Sequence, residues 1–291
     1  MRRRTMCSVA AAIWSLGAGV SARHASAQGW PPDAPTFATM DRQDGSSFIG
    51  AQLGFTFLDQ VALDGPDAPD ATGLRLDLYG QYVSRSRLGV YAALPLSHVI
   101  LEDFEDESAI GNVEAGAIYI VRTGPGTELV LHGGITLPTA DDGPGADISK
   151  VVTNFISTWP RLTDIAHAWP HALWVRLGVS PIIQRGYLIL RADAGVDAAL
   201  SSDDDFDDPS AIVRLNVGGG VDTGRVAVLG ELVTLANAED EAGEDLVHTL
   251  ALSARFRAGG IEPGLAIGVP LDDSVRDFID LFVIAGLQGR I

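Results

Sequence analysis

The sequence predicts an all-β protein, an up-and-down antiparallel transmembrane β-barrel of about 12 strands. Three observations predict it. From Ser46 onward apolar residues recur at every second position, in segments of about 10 to 14 residues. The connections between these segments alternate between short turns and long acidic loops. After the N-terminal leader, no apolar run reaches the roughly 18 residues of a spanning helix.

The chain opens MRRRTMCSVAAAIWSLGAGVSARHASAQ. Arg2, Arg3 and Arg4 precede an apolar stretch, Met6 to Val20, and Ala25-Ser26-Ala27 supplies a small-residue cleavage motif. Residues 1–27 therefore read as a secretory signal peptide cut near Ala27. Cys7, the one cysteine of the sequence, lies inside it, so the mature chain relies on pairing and packing rather than disulfides. Residues 28–45 read as a short periplasmic segment, and 46–291 as the barrel.

The first apolar stripe is Ile49, Ala51, Leu53, Phe55 and Phe57; the second is Leu74, Leu76, Leu78 and Tyr82. Further segments follow at roughly 88–99, 111–121, 128–138, 172–182, 187–200, 210–222, 225–236, 246–257, 261–271 and 278–291. No convincing amphipathic helix interrupts them. Short connections fall at 84–87, 122–127, 184–186, 222–225 and 258–260, and the acid-rich ones at 59–72, 100–110, 201–209, 238–245 and 272–277. Strands of a soluble sandwich are usually about 5 to 6 residues long and need not sort their connections by side. Long strands with short turns at one end and long loops at the other fit a membrane barrel, in which every backbone group must be paired by closure. Prolines in ALPLSHV, ITLPTAD and IGVPLDD (Pro95, Pro138 and Pro270) are expected where strands give way to loops.

Charge excludes other classes. The formal charge is −18 at pH 7 and reaches −22 once Arg2, Arg3, Arg4 and Arg23 leave with the leader. An acidic chain is a poor nucleic-acid binder, and 46% hydrophobic residues argue against disorder. Strand parity sends Arg75, Asp77, Gln81, Glu114, Glu128, His132, Arg176, Arg191, Asp193, Asp197, Arg214, Glu231, Arg255 and Arg257 into the lumen, with Gln52, Asn216, Glu262, Asp280, Gln288 and Arg290. Mixed signs there form either a bracing network of arginine–carboxylate pairs or a selective pore lining.

The connection 139–170 is too apolar for a solvated loop. Phe155, Trp159, Arg161 and Trp169 mark it as a constriction folded inward, a lid over the mouth, or a segment anchored at the rim. Asp203, Asp204, Asp205, Asp207 and Asp208 offer hard oxygen ligands through which divalent cations could bridge to lipopolysaccharide; a solvated, self-repelling loop is the simpler account. Catalytic signals are thin. Ser97-His98 lacks a surrounding acid motif, Pro170 spoils the His167/His171 spacing for a helical metal site, and Glu114, Glu128 and His132 form an inward metal cluster only if their strands bring them together. No cofactor is expected.

The stretch GNVEAGAIYIVRTGPGTELVLHGGITLPTA (111–140) resembles the central hairpin of the MetA-pathway phenol-degradation-like outer-membrane proteins. Gly111, Glu114, Gly116 and Tyr119 match the first half of their motif and Leu137, Pro138 and Thr139 the second, with Ala140 in place of the usual glycine. The closing segment 262–291 is similar to that family's last hairpin, although it ends on Ile291 rather than an aromatic residue. The resemblance implies a barrel associated with uptake of hydrophobic or aromatic compounds. The expected function is passive passage of a small solute across the cell outer membrane, in contact with lipid and lipopolysaccharide. A closed structural or surface-interaction barrel is the alternative, and an outer-membrane enzyme comes third.

Overall fold

A computed structural model describes residues 37–58, 71–101, 106–140, 148–201, 211–238 and 246–291. The strands are β1 (Phe48–Leu58), β2 (Ala71–Val83), β3 (Leu88–Leu101), β4 (Glu107–Ile110), β5 (Glu114–Gly124), β6 (Thr127–Thr136), β7 (Leu173–Arg185), β8 (Leu188–Ser201), β9 (Ala211–Asp222), β10 (Val226–Asn237), β11 (Leu246–Phe256), β12 (Ile261–Pro270) and β13 (Ile279–Arg290). Every sheet pairing is antiparallel, and β1 pairs with both β2 and β13, which closes the sheet. The wall is a closed 12-strand antiparallel barrel; short β4 is an extra strand laid on the outer half of β3. The 12 wall strands close on themselves, as a sheet in lipid requires, and β4, paired with β3 alone, is left as a short edge.

Alternation sets the two faces. Along β8, Leu188, Leu190, Val196 and Leu200 are exposed on the outside, while Ile189, Arg191, Asp193 and Asp197 are buried inside. The same parity holds on β2, with Leu78 and Tyr82 outside and Arg75, Asp77, Tyr79 and Gln81 inside. Of five exposed aromatics on the wall strands and their turns, Tyr82, Tyr119, Tyr187 and Phe256 lie toward the short-turn end and Phe57 toward the loops. Such placement suits a membrane–water interface, where a ring buries its body and keeps its polar tip wet. Each short turn reverses through one left-handed residue, Arg87, Gly126, Gly186, Gly224 or Gly259. Side chains rarely tolerate that backbone region, which accounts for four glycines in five turns.

Four expectations need correction. Residues 37–45, read as part of a periplasmic segment, lie within the barrel: Phe37, Met40, Asp41, Arg42 and Asp44 are all buried. Asp280 faces outward, because the register of β1 on β13 passes from Leu281 directly to Ile279 and shifts parity at that point. Pro95 sits within β3 rather than at its end, between the pairing of β3 with β5 (to Ala93) and with β4 (from Leu96), a handover that tolerates a missing N–H. The inner face is not uniformly polar: Ile118, Ile120, Val130, Ile182, Ile189 and Leu229 form an apolar layer on the β5–β10 side toward the short turns.

Three elements are helical beyond the sequence expectation. Helix α1 (Ile148–Thr158) runs into a kinked 3-10 segment, η1 (Trp159–His167), and a one-turn α2 (Asp273–Arg276) precedes β13. Residues 1–36 and the acidic loop containing Asp203, Asp204, Asp205, Asp207 and Asp208 lie outside the described residues.

Candidate functional site

Two chain segments meet inside the barrel. The first is 37–45, which leads straight into β1. Its backbone is held by wall side chains: Glu231 accepts the N–H groups of Ala38 at 3.0 Å and Thr39 at 2.7 Å, and Gln52 Nε2 donates to the Ala38 carbonyl at 2.9 Å. Gln81 Nε2 donates to the carbonyls of Asp44 and Ser46, each at 2.7 Å. Gly218 makes room, since a Cβ there would lie 2.6 Å from the Phe37 ring and 2.7 Å from Met40 Sδ.

The second is α1–η1, connecting β6 to β7. It is seated by glycines on the opposite wall: Cβ atoms at Gly54 and Gly73 would each come within 2.7 Å of Pro160 and Ile156. Leu162 and Ala166 join Phe37, Met40, Trp174 and Val233 in the main apolar core. Toward the loop end Phe155 meets Trp169 edge-on at 4.6 Å, and Trp159 meets Phe278 at 6.3 Å. Connection 139–170, where described from 148 on, is therefore folded inward.

Arg161 joins the two segments. It is fully buried, its Nη1 donates to the Ala38 carbonyl at 2.5 Å, its Nη2 to the Met40 carbonyl at 2.9 Å, and its Nε to Asp164 at 2.7 Å. Arg42 returns the connection, with 2.8 Å to Asp164 and 2.9 Å to Asp77 on β2. Burial pushes the carboxyls of Asp41 and Asp164 upward, but neighbouring arginines (Arg214 at Asp41; Arg161 and Arg42 at Asp164) hold both well below the usual carboxylate range. Asp44 goes the other way: burial raises it, against the opposing pull of Arg290 and Ser46.

The wall supplies the rest of the network. Arg176 bonds Glu114 at 2.6 Å, Asp164 at 3.3 Å and Asp197 at 3.1 Å. Arg214 bonds Asp41 at 2.5 Å and shares Asp197 at 2.9 Å. Arg191 pairs with Asp193 at 2.7 Å and Arg75 with Asp77 at 2.9 Å. Nearer the short turns, Arg257 links Asp222 at 2.9 Å with Glu262 at 3.1 Å. These buried pairs hold geometry more than they add net stability, because desolvation offsets much of their attraction.

Glu114, Asp164 and His167 bring three potential metal-ligand atoms within 4.8 Å. Cations of the protein already occupy them. Arg176 Nη1 reaches both carboxylates, and Arg75 Nη2 lies 3.0 Å from His167 Nδ1. Arginine only donates, so Nδ1 accepts and Nε2–H donates to Glu114 at 2.8 Å. This is an ion-pair lattice, not a ligand set for an ion.

Of the lumen residues expected from parity, Arg75, Asp77, Gln81, Glu114, His132, Arg176, Arg191, Asp193, Asp197, Arg214, Glu231 and Arg255 are buried inside, and Glu128 and Arg257 are half-buried near the short-turn end. The proposed Glu114–Glu128–His132 cluster does not form: Glu128 pairs with Arg122 at 3.3 Å and His132 stands 3.4 Å from Asp41. Ser97 is buried on the inner face while His98 lies on the outer one and meets Ser108 at 2.9 Å, so Ser97 and His98 are not a pair. His171, in a left-handed turn, is exposed, whereas His167 is buried. Residues absent from the sequence expectation are Asp41, Arg42 and Asp164; a short run with both charge signs reads as a linker, and only Phe37 and Met40 beside it hint at burial.

The two segments nearly fill the lumen. A cavity between them, bounded by Asp41, Arg42, Tyr79, Tyr91, Glu114 and Arg176, holds about 20 Å³, room for little more than one water.

No protein-family model and no curated protein matches this sequence. Solved structures do match it in fold. An outer membrane channel from Pseudomonas putida F1 aligns over 89% of this chain and 99% of its own, with a TM-score of 0.63 and 14% identity. The NanC porin aligns over 84% of this chain and 100% of its own, with a TM-score of 0.51 and 7% identity. The fold is that of a bacterial outer-membrane β-barrel, as the hairpin resemblance implies.

Proposed function

We propose that this protein is an outer-membrane channel whose resting state is closed by residues 37–45 and 148–167, and that it passes a small solute passively when these segments yield. The observation that carries the reading is the nature of the closure. The lumen is blocked by two segments that are not part of the wall and are joined by Arg161 to the Ala38 and Met40 carbonyls, by Arg42 to Asp164 and by Thr163 to the Thr39 carbonyl. A barrel filled permanently could use wall side chains alone, as small barrels do. The cargo that fits is small and partly apolar. One side of the lumen carries Trp174, Ile212 and Leu235 toward the loops and Ile182 and Ile189 toward the short turns, with the arginine–carboxylate belt between them. That composition agrees with the aromatic or hydrophobic solutes implied by the resemblance, provided they carry a polar group.

The test is conductance in planar bilayers together with uptake of a small aromatic acid into liposomes. Replacing 148–167 with a short Gly-Ser linker should raise both at least tenfold over the intact barrel. The second reading, a closed structural barrel, is favoured by the roughly 20 Å³ of free space. Absence of conductance and uptake in both proteins would establish it and end the channel reading.

A further inference from the structure

Most lumen arginines face an acid: Arg75, Arg176, Arg191, Arg214, Arg257 and Arg290 each have a carboxylate oxygen within 2.9 Å. Arg255 is different. Its side chain points inward from β11, the residue is only 5% exposed, and neither Nε nor Nη1 has a hydrogen-bond partner among the described residues. Desolvation disfavours a buried guanidinium that no carboxylate balances, so this position calls for an occupant.

The surroundings leave space for one. Arg255 borders a second cavity of about 10 Å³, lined also by Ala38, Gln52, Ser253, Gly264 and Gly286. Gly264 lies beneath the arginine, where a Cβ would sit 3.1 Å from its Cγ, and above Gly286 the nearest atom to a Cβ would be 3.9 Å away. Gln52 Nε2, which uses one N–H on the Ala38 carbonyl at 2.9 Å, is a further donor on the same wall. None of these lining residues is acidic. Water would satisfy hydrogen bonds here but leave the charge unbalanced; a small anion does both.

We propose that this cavity is a small-anion site, taking a halide ion or a single carboxylate group on Arg255 Nε and Nη1. It requires only the folded barrel and is independent of the channel reading. The test uses the full-length barrel in detergent at constant ionic strength, with the unfolding midpoint followed as sodium gluconate is exchanged for formate or bromide. Formate and bromide should raise the midpoint saturably where bulky gluconate does not, and Arg255→Gln should move half-saturation at least tenfold higher. Arg255→Lys, which keeps the charge, should shift it less. Anomalous scattering from bromide beside Arg255 gives a second readout should Arg255→Gln fail to fold. Identical midpoints in the three salts, or unchanged half-saturation in Arg255→Gln, would overturn the proposal.

Discussion

The two segments inside the barrel are built on different terms. Residues 148–167 are anchored at both ends, between β6 and β7, and are held by their own side chains: Asp164 and His167 enter the ion-pair network, and Leu162 and Ala166 enter the core. Residues 37–45 continue directly into β1, and much of their hold comes from wall side chains reading their backbone, through Glu231, Gln52 and Gln81. A segment held through its own side chains depends on its sequence. One held through its backbone depends on the wall, so mutations that release the two should fall in different places.

The largest effect should come from Arg161, which makes two of the bonds between the segments. Arg161→Ala removes its contacts to the Ala38 and Met40 carbonyls and one of the cations on Asp164, which keeps Arg42 at 2.8 Å and Arg176 at 3.3 Å; each charge-assisted hydrogen bond lost is worth about 1.5–3 kcal/mol. Single-channel recording should show an open fraction raised more than tenfold; an unchanged open fraction would mean that the segments are held independently. Glu231→Gln should come next and act on 37–45 alone, because charge-assisted hydrogen bonds to Ala38 and Thr39 are worth about 1.5–3 kcal/mol. Limited proteolysis should then cut near residue 40 while 148–167 stays protected, and cleavage in both would erase the distinction.

Acid should affect the segments together and more gently. The carboxyls of Asp41 and Asp164 sit below their ordinary values, so their contribution is complete above about pH 4 and declines as pH falls further. Asp44, raised by burial, has the opposite sign and partly offsets the loss. Conductance should stay flat from pH 7 to about 4 and rise only below that; opening near pH 6 would assign control to other groups. The smallest effect expected is that of chelator on the barrel. If divalent ions bridge Asp203 to Asp208 to lipopolysaccharide, EDTA should lower the melting temperature by about 2–4 °C, a shift on the scale of 1 kcal/mol for a domain this large, and an unmoved transition would dismiss the bridge.

How much of this was legible in the sequence follows from what each part is made of. A wall strand repeats one rule over ten or more residues, so Leu188 to Leu200 declared both its faces and its length. That rule fails where a bulge adds or drops a residue, which is why Asp280 was sent inward. The helical stretch 148–167 is legible as apolar, with an inward fold one of three readings; its helix is missed because only 11 residues are regular before Pro160 and the kink. The Arg161–Asp164 pair is local in sequence, whereas Ala38 and Glu231 are separated by 193 positions. Nothing in Phe37 to Gly45 repeats, so no period could announce it.

The seam between β1 and β13 joins the two ends of the barrel sequence. Because 37–45 leads directly into β1, the strap and the seam share one stretch of backbone, where the Ile291 N–H also bonds the Ser47 carbonyl at 3.1 Å. Whatever loosens the seam at the start of β1 therefore also loosens the footing of the strap.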